Sequence, residues 1–139
     1  MGFFDYSWSI RDRILEDFKT TLYMLFFSAI FAGLFGLILG IIMVVTDRGR
    51  ILENKVIYSI LDKLTNIFRS IPFVILLALV APFTRFIVDT RIGPKAAIVP
   101  LVVSCVPFFA RQVEQALAEV DPGVIEAAEA MGKSPFEII

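Results

Sequence analysis

Three ionisable residues stand where the sequence is otherwise made for lipid: Arg69, Arg111 and Glu114. Ionisable groups within membrane spans often line the path of a substrate or ion, and these are candidate pathway residues on that ground. The plainer role is anchoring, since an arginine near a helix end extends its stem to the interface. Arg111 and Glu114 are three residues apart, so on a helix they share a face and can pair. None of this is bond-making chemistry. The chain has no histidine, which removes the commonest general base, metal ligand and haem ligand. Its one cysteine, Cys105, allows no intrachain disulfide or thiolate cluster and reads as a small apolar packer. No catalytic set and no metal set emerges. The pattern G-x-x-x-x-G-K-[ST] does not occur, so any nucleotide must be bound by another chain.

The elements around these residues are dictated by composition. Of 139 residues, 58% are hydrophobic and 19% charged, against roughly 45–50% and 25% in an ordinary soluble domain. A soluble unit of this size has too little interior to hide that much apolar surface. The net charge of −1 gives no electrostatic reason to expect nucleic acid. The sequence predicts an all-α integral membrane protein.

The longest uncharged stretch, Thr20 to Thr46, would extend about 40 Å as a helix, ample for a bilayer core. Two shorter runs lie at Ser70–Thr84 and Ala96–Ala110. Extended to spanning length they take in Arg69 and the Arg111–Glu114 pair. A central arginine costs roughly 2.5–3.5 kcal/mol, which the surrounding Ile, Leu, Val and Phe offset at about 0.3–0.6 each. The expected spans are therefore about 20–46, 64–85 and 96–118. Pro72, Pro82, Pro100 and Pro107 are expected to break or kink the later two. In the first span Ala32, Gly36 and Gly40 recur every four residues, a face on which two backbones can approach closely. Residues 1–18 mix aromatic and charged side chains, as in a helix lying at the membrane interface. Basic residues divide seven to six in favour of an outside N-terminus.

Beyond the third span, Asp121-Pro122-Gly123 predicts a helix start and Gly132 its stop, with the helix running to about Met131. Val124, Ala128 and Met131 form a small apolar stripe on it. Ser134-Pro135-Phe136-Glu137 is a capping box that opens a second helix. The sequence stops soon after, at Ile139, and the expectation is a fragment of a longer protein. Such a helix-turn-helix suits docking into a groove on a partner, or resting on its own bundle.

Residues 126–132 read EAAEAMG. This resembles the EAA loop of ABC importer permeases, with Glu126, Ala127, Ala128 and Gly132 on the matching positions. NIFRSIPFVILL at 66–77 and AAIVPLVVSCVPFFARQVEQALAEVDPG at 96–123 extend the likeness to the methionine-importer (MetI-like) permeases over most of residues 20–139. The resemblance implies a five-helix permease bundle, of which three transmembrane helices are present here, with a cytoplasmic coupling helix-turn-helix at 121–139. It implies a prokaryotic inner or plasma membrane, an outside N-terminus, and a permease homodimer. It further implies two ABC ATPase subunits that bind the ATP, no cofactor in this chain, and a substrate-binding lipoprotein that delivers methionine. The four EAA residues would couple the permease to the ATPase. The missing family helices put independent transport in doubt. The alternatives are a structural or non-functional truncated membrane protein, a permease for another amino acid or small peptide, and a membrane enzyme or haem-bearing subunit, the last disfavoured by the absence of histidine.

Overall fold

The computed structural model of the protein describes residues 2–139; Met1, the first residue of the N-terminal segment expected to be interfacial, lies outside the described residues. Six helices follow in order: α1 Phe3–Thr46, α2 Lys55–Ser70, α3 Phe73–Val88, α4 Pro94–Ala118, α5 Pro122–Ala130 and α6 Pro135–Ile138. α4 is the hub, packing against α1, α2 and α3, while α1 also touches α2. Two helices, α1 and α4, are long and apolar enough to cross a membrane, or three spans exist if the bent α2–α3 pair counts as one. The accessible surface is 10092 Å², against about 7,200 Å² for a compact soluble protein of this mass. Most of the large apolar side chains are accordingly exposed, as a lipid-facing bundle requires.

α1 has 44 residues, about 66 Å of helix. It contains no proline, and its helical bonding runs through residues 18–20 without interruption. The segment expected as a separate interfacial element is thus continuous with the first span, and Arg11 lies over the Trp8 ring at 4.2 Å. At the other end Thr46 donates its hydroxyl to the Ile42 carbonyl at 2.7 Å. The connecting loop then folds back: the Leu52 and Asn54 N–H groups donate to the Val45 and Thr46 carbonyls, both at 2.9 Å. Carbonyls that a helix end leaves without partners are satisfied in this way.

Asn54 caps α2, accepting from the Val56 and Ile57 N–H groups at 3.1 and 3.2 Å. The expected span 64–85 needs correction here. It is two helices, which meet at Ile71–Pro72 with a bend of 113°. Proline disfavours the helical conformation in the residue before it, and Ile71 is extended at φ −78°, ψ 124°. The other prolines do not break their helices. Pro82 lies within α3, and Pro100 and Pro107 lie within an unbroken α4, both buried. Neighbouring helices compensate the lost donors inside a membrane bundle.

The interior is thin. From α1 it takes Ser28, Ala32, Gly36, Gly40 and Met43; from α3 Leu76, Val80 and Thr84; from α4 Ala96, Pro100, Pro107, Ala110 and Glu114. The small-residue stripe of α1 therefore lies on its buried side and runs one period further back, to Ser28. Gly36 lies against Phe109 of α4, and Gly40 against Ala110 and Val113.

Candidate functional site

The α5–α6 arm is built from local capping chemistry. Asp121 accepts from the Gly123 N–H at 2.8 Å, with Pro122 at the first helical position. The helix closes by a six-to-one bond, Lys133 N–H to Ala128 carbonyl at 3.2 Å, enclosing Gly132 N–H to Glu129 carbonyl at 2.9 Å. This motif needs a left-handed residue, and Gly132 has φ +79°. Ser134 then caps α6, its N–H donating to Glu137 at 2.7 Å. That backbone bond, the Ser134 hydroxyl and Lys133 hold the Glu137 carboxyl below its usual range. The cap is complete at neutral pH and fades as pH falls through the lowered value.

Among the described residues the backbone of the arm stands apart from that of the bundle, with α5 packing against α6 alone. Ile125, Ile138 and Ile139 line a cavity of about 370 Å³ shared with Leu37 of α1 and Leu117 of α4. Val124, Met131 and Phe136 are exposed, as are Glu126, Ala127 and Gly132, while Ala128 is half-buried. The arm thus offers an apolar and acidic surface with no partner helix upon it.

A second site lies inside the bundle. Arg111 donates through Nη1 to Glu114 at 2.5 Å and through Nη2 to Asp62 at 2.6 Å and Asn66 at 3.0 Å. The Tyr58 hydroxyl donates to the other oxygen of Glu114 at 2.8 Å. Glu114 and Arg111 side chains are only 10% and 14% exposed, and Asp62 is 34% exposed. The spacing of Arg111 and Glu114 announces their pairing; their partners on α2 were not singled out from the sequence. Tyr58, Asp62 and Asn66 follow one another at four-residue intervals on an amphipathic helix, and that was the available signal. Arg111→Met would leave two facing carboxylates without their cation. Breaking a buried pair costs about 3–5 kcal/mol, and the partial exposure of Asp62 puts the expected loss at the lower end. A thermal melt of the detergent-solubilised protein measures it, and an unchanged midpoint would contradict the cluster's structural weight.

Arg69 is not part of this cluster. It lies at the elbow between α2 and α3, in a groove of about 540 Å³ with Phe68, Phe73, Cys105 and Phe108. Cys105 is exposed rather than packed. Among the described residues no group of His, Cys, Asp and Glu could hold a metal ion.

Residues 32–139 match the family described as binding-protein-dependent transport system inner membrane component. The D-methionine transport system permease protein MetI of Yersinia pestis is 53% identical over 119 residues, 86% of this chain and 55% of that protein. The methionine import system permease protein MetP of Bacillus subtilis is 50% identical over 98 residues, 70% of this chain and 44% of that protein. A solved inward-facing structure of the MetNI methionine ABC transporter superposes with a TM-score of 0.83 at 50% identity, covering 86% of this chain and 55% of that one. The chain thus spans about half the length of the relatives it matches.

Proposed function

This chain belongs to the family of binding-protein-dependent transport system inner membrane components, and from that premise we propose that it serves as the permease subunit of an ABC importer for methionine. The support is the likeness to MetI and MetP relatives at about half identity, together with one structural observation. The α5–α6 arm carries Glu126, Ala127, Ala128 and Gly132 on a capped unit whose backbone stands off the bundle, with Val124, Met131 and Phe136 uncovered. An exposed apolar face on a short rigid helix fits a groove on a partner.

On this reading the partner is an ATPase subunit that binds ATP, and this chain does no bond chemistry of its own. Alanines at 127 and 128 let the helix seat closely, and Glu126 supplies a charge for a basic partner residue. ATP binding biases the inward and outward states of the pathway through the arm. Two permeases pair, a binding lipoprotein delivers the cargo, and the N-terminus lies outside a prokaryotic cell membrane that the chain crosses several times. Pull-down of the ATPase through this chain, followed by methionine-dependent ATP turnover and uptake in vesicles, tests the proposal. Uptake that depends on the ATPase is the expected result. An arm that crosslinks only from the side of the membrane opposite the ATPase would sink it.

A further inference from the structure

The Arg111 cluster sits between two parts that a transport cycle must connect. On one side α4 continues into the α5–α6 arm, and Arg50 donates to the Ala118 carbonyl at 3.2 Å, fastening the α1–α2 loop to the end of α4. On the other side Asp62 and Asn66 belong to α2, which turns by 113° into α3. Arg111 is a single side chain bonded to both helices at once, and the Tyr58 hydroxyl on Glu114 adds a second strut from an earlier turn of α2.

The α1–α4 contact is of another kind. There Gly36 and Gly40 meet Phe109, Ala110 and Val113, and no side-chain hydrogen bond or ion pair joins the two helices among the described residues. The cluster cannot be sheared without parting Asp62 and Tyr58 of α2 from Arg111 and Glu114 of α4.

We infer that Asp62, Arg111, Glu114 and Tyr58 form a clamp that makes α2 and α4 move as one body. A displacement of the arm is handed through the clamp to the elbow at Ile71–Pro72 and on to α3. This rests on the arm being the place where the ATPase engages. The four residues are positioning residues and need not touch cargo.

The test uses the assembled transporter in vesicles, with Cys105→Ser removing the native thiol. Asp62→Cys and Arg111→Cys are combined and then joined by a short, reducible bifunctional thiosulfonate. Unlinked, the double variant is expected to lose uptake per ATP about tenfold, within the usual range of coupling energies. Linking α2 to α4 restores uptake to within about twofold. Linking that blocks uptake, or leaves the loss unrepaired, overturns the inference. The single variant Asp62→Asn guards against misfolding: hydrolysis persists while uptake per ATP falls, and Asp62→Glu recovers most of it. Hydrolysis and uptake that fall in proportion to folded protein would reduce the cluster to a structural support and overturn the clamp. A Cys105→Ser transporter that moves no methionine at all would sink the functional reading and the clamp with it, so the two failures are distinguishable.

Discussion

Gly132→Trp in the assembled transporter is expected, on the proposed permease reading, to leave membrane insertion intact and to cut uptake per ATP hydrolysed by about tenfold or more, within the range of allosteric couplings. The cause is the backbone. Gly132 has φ +79°, and a Cβ built there meets nothing within 4 Å, so the cost begins with the backbone conformation. An L-residue in the left-handed region costs roughly 1–2 kcal/mol. The chain escapes that cost by abandoning the bonds from Gly132 and Lys133 to the Glu129 and Ala128 carbonyls. The arm then leaves its present course, while the spans, which the turn does not touch, insert as before. Gly132→Asn is the control, because asparagine tolerates the left-handed region, and it should keep most of the coupling. Uptake and hydrolysis measured on the same vesicles decide the matter; normal uptake by Gly132→Trp would contradict the role given to the turn.

Gly40→Leu is expected to part α1 from α4. A Cβ at position 40 would lie 2.6 Å from the Val113 Cβ and 2.7 Å from the Ala110 carbonyl oxygen. A backbone oxygen cannot rotate aside, so the helices must separate. Overpacking of this kind costs roughly 1–3 kcal/mol for added methylenes in a filled core, and a leucine adds more than one. The three glycines of this stretch make a graded series as alanines. Gly40→Ala is expected to destabilise most. Gly36→Ala should cost less, because a Cβ there meets only side-chain atoms of Phe109, the nearest at 2.7 Å, and no backbone atom. Gly33→Ala meets nothing within 4 Å and should be neutral or slightly stabilising, since glycine within a helix costs about 0.5–1 kcal/mol relative to alanine. Thermal midpoints in detergent, read by the loss of the monodisperse chromatographic peak, test the ranking. Equal midpoints for all three would mean that the helices do not meet here.

The parts of this molecule that were legible in the sequence are those fixed by neighbours in the chain. The end of α1 at Thr46 follows from the apolar run meeting Asp47, and α5 and α6 follow from Asp121-Pro122, Gly132 and Ser134-Pro135. The Arg111–Glu114 pair follows from helical spacing. What was missed depends on distant partners. α2 begins at Lys55, nine residues before the span expected to start at Leu64, because its polar face reads as loop until α4 is there to receive it. Tyr58, Asp62 and Asn66 gain meaning only when α4 brings Glu114 and Arg111 beside them. The four prolines of the later helices look alike in the sequence and act differently in the fold. Pro72 breaks the chain because Ile71 turns extended, whereas Pro82, Pro100 and Pro107 sit inside helices that continue through them.

The unbroken course of α1 has a spectroscopic consequence. The chain contains one tryptophan, Trp8, on the same continuous helix as the first span but ahead of Thr20 by about 18 Å of rise. Its indole is exposed and sits beneath Arg11. Tryptophan emission from this chain therefore does not sense the elbow or the glycine contact, and reports how deep the leading end of a stiff rod dips toward lipid. Quenching by bromine placed at graded depths along the acyl chains would measure the tilt of that rod, with no label added.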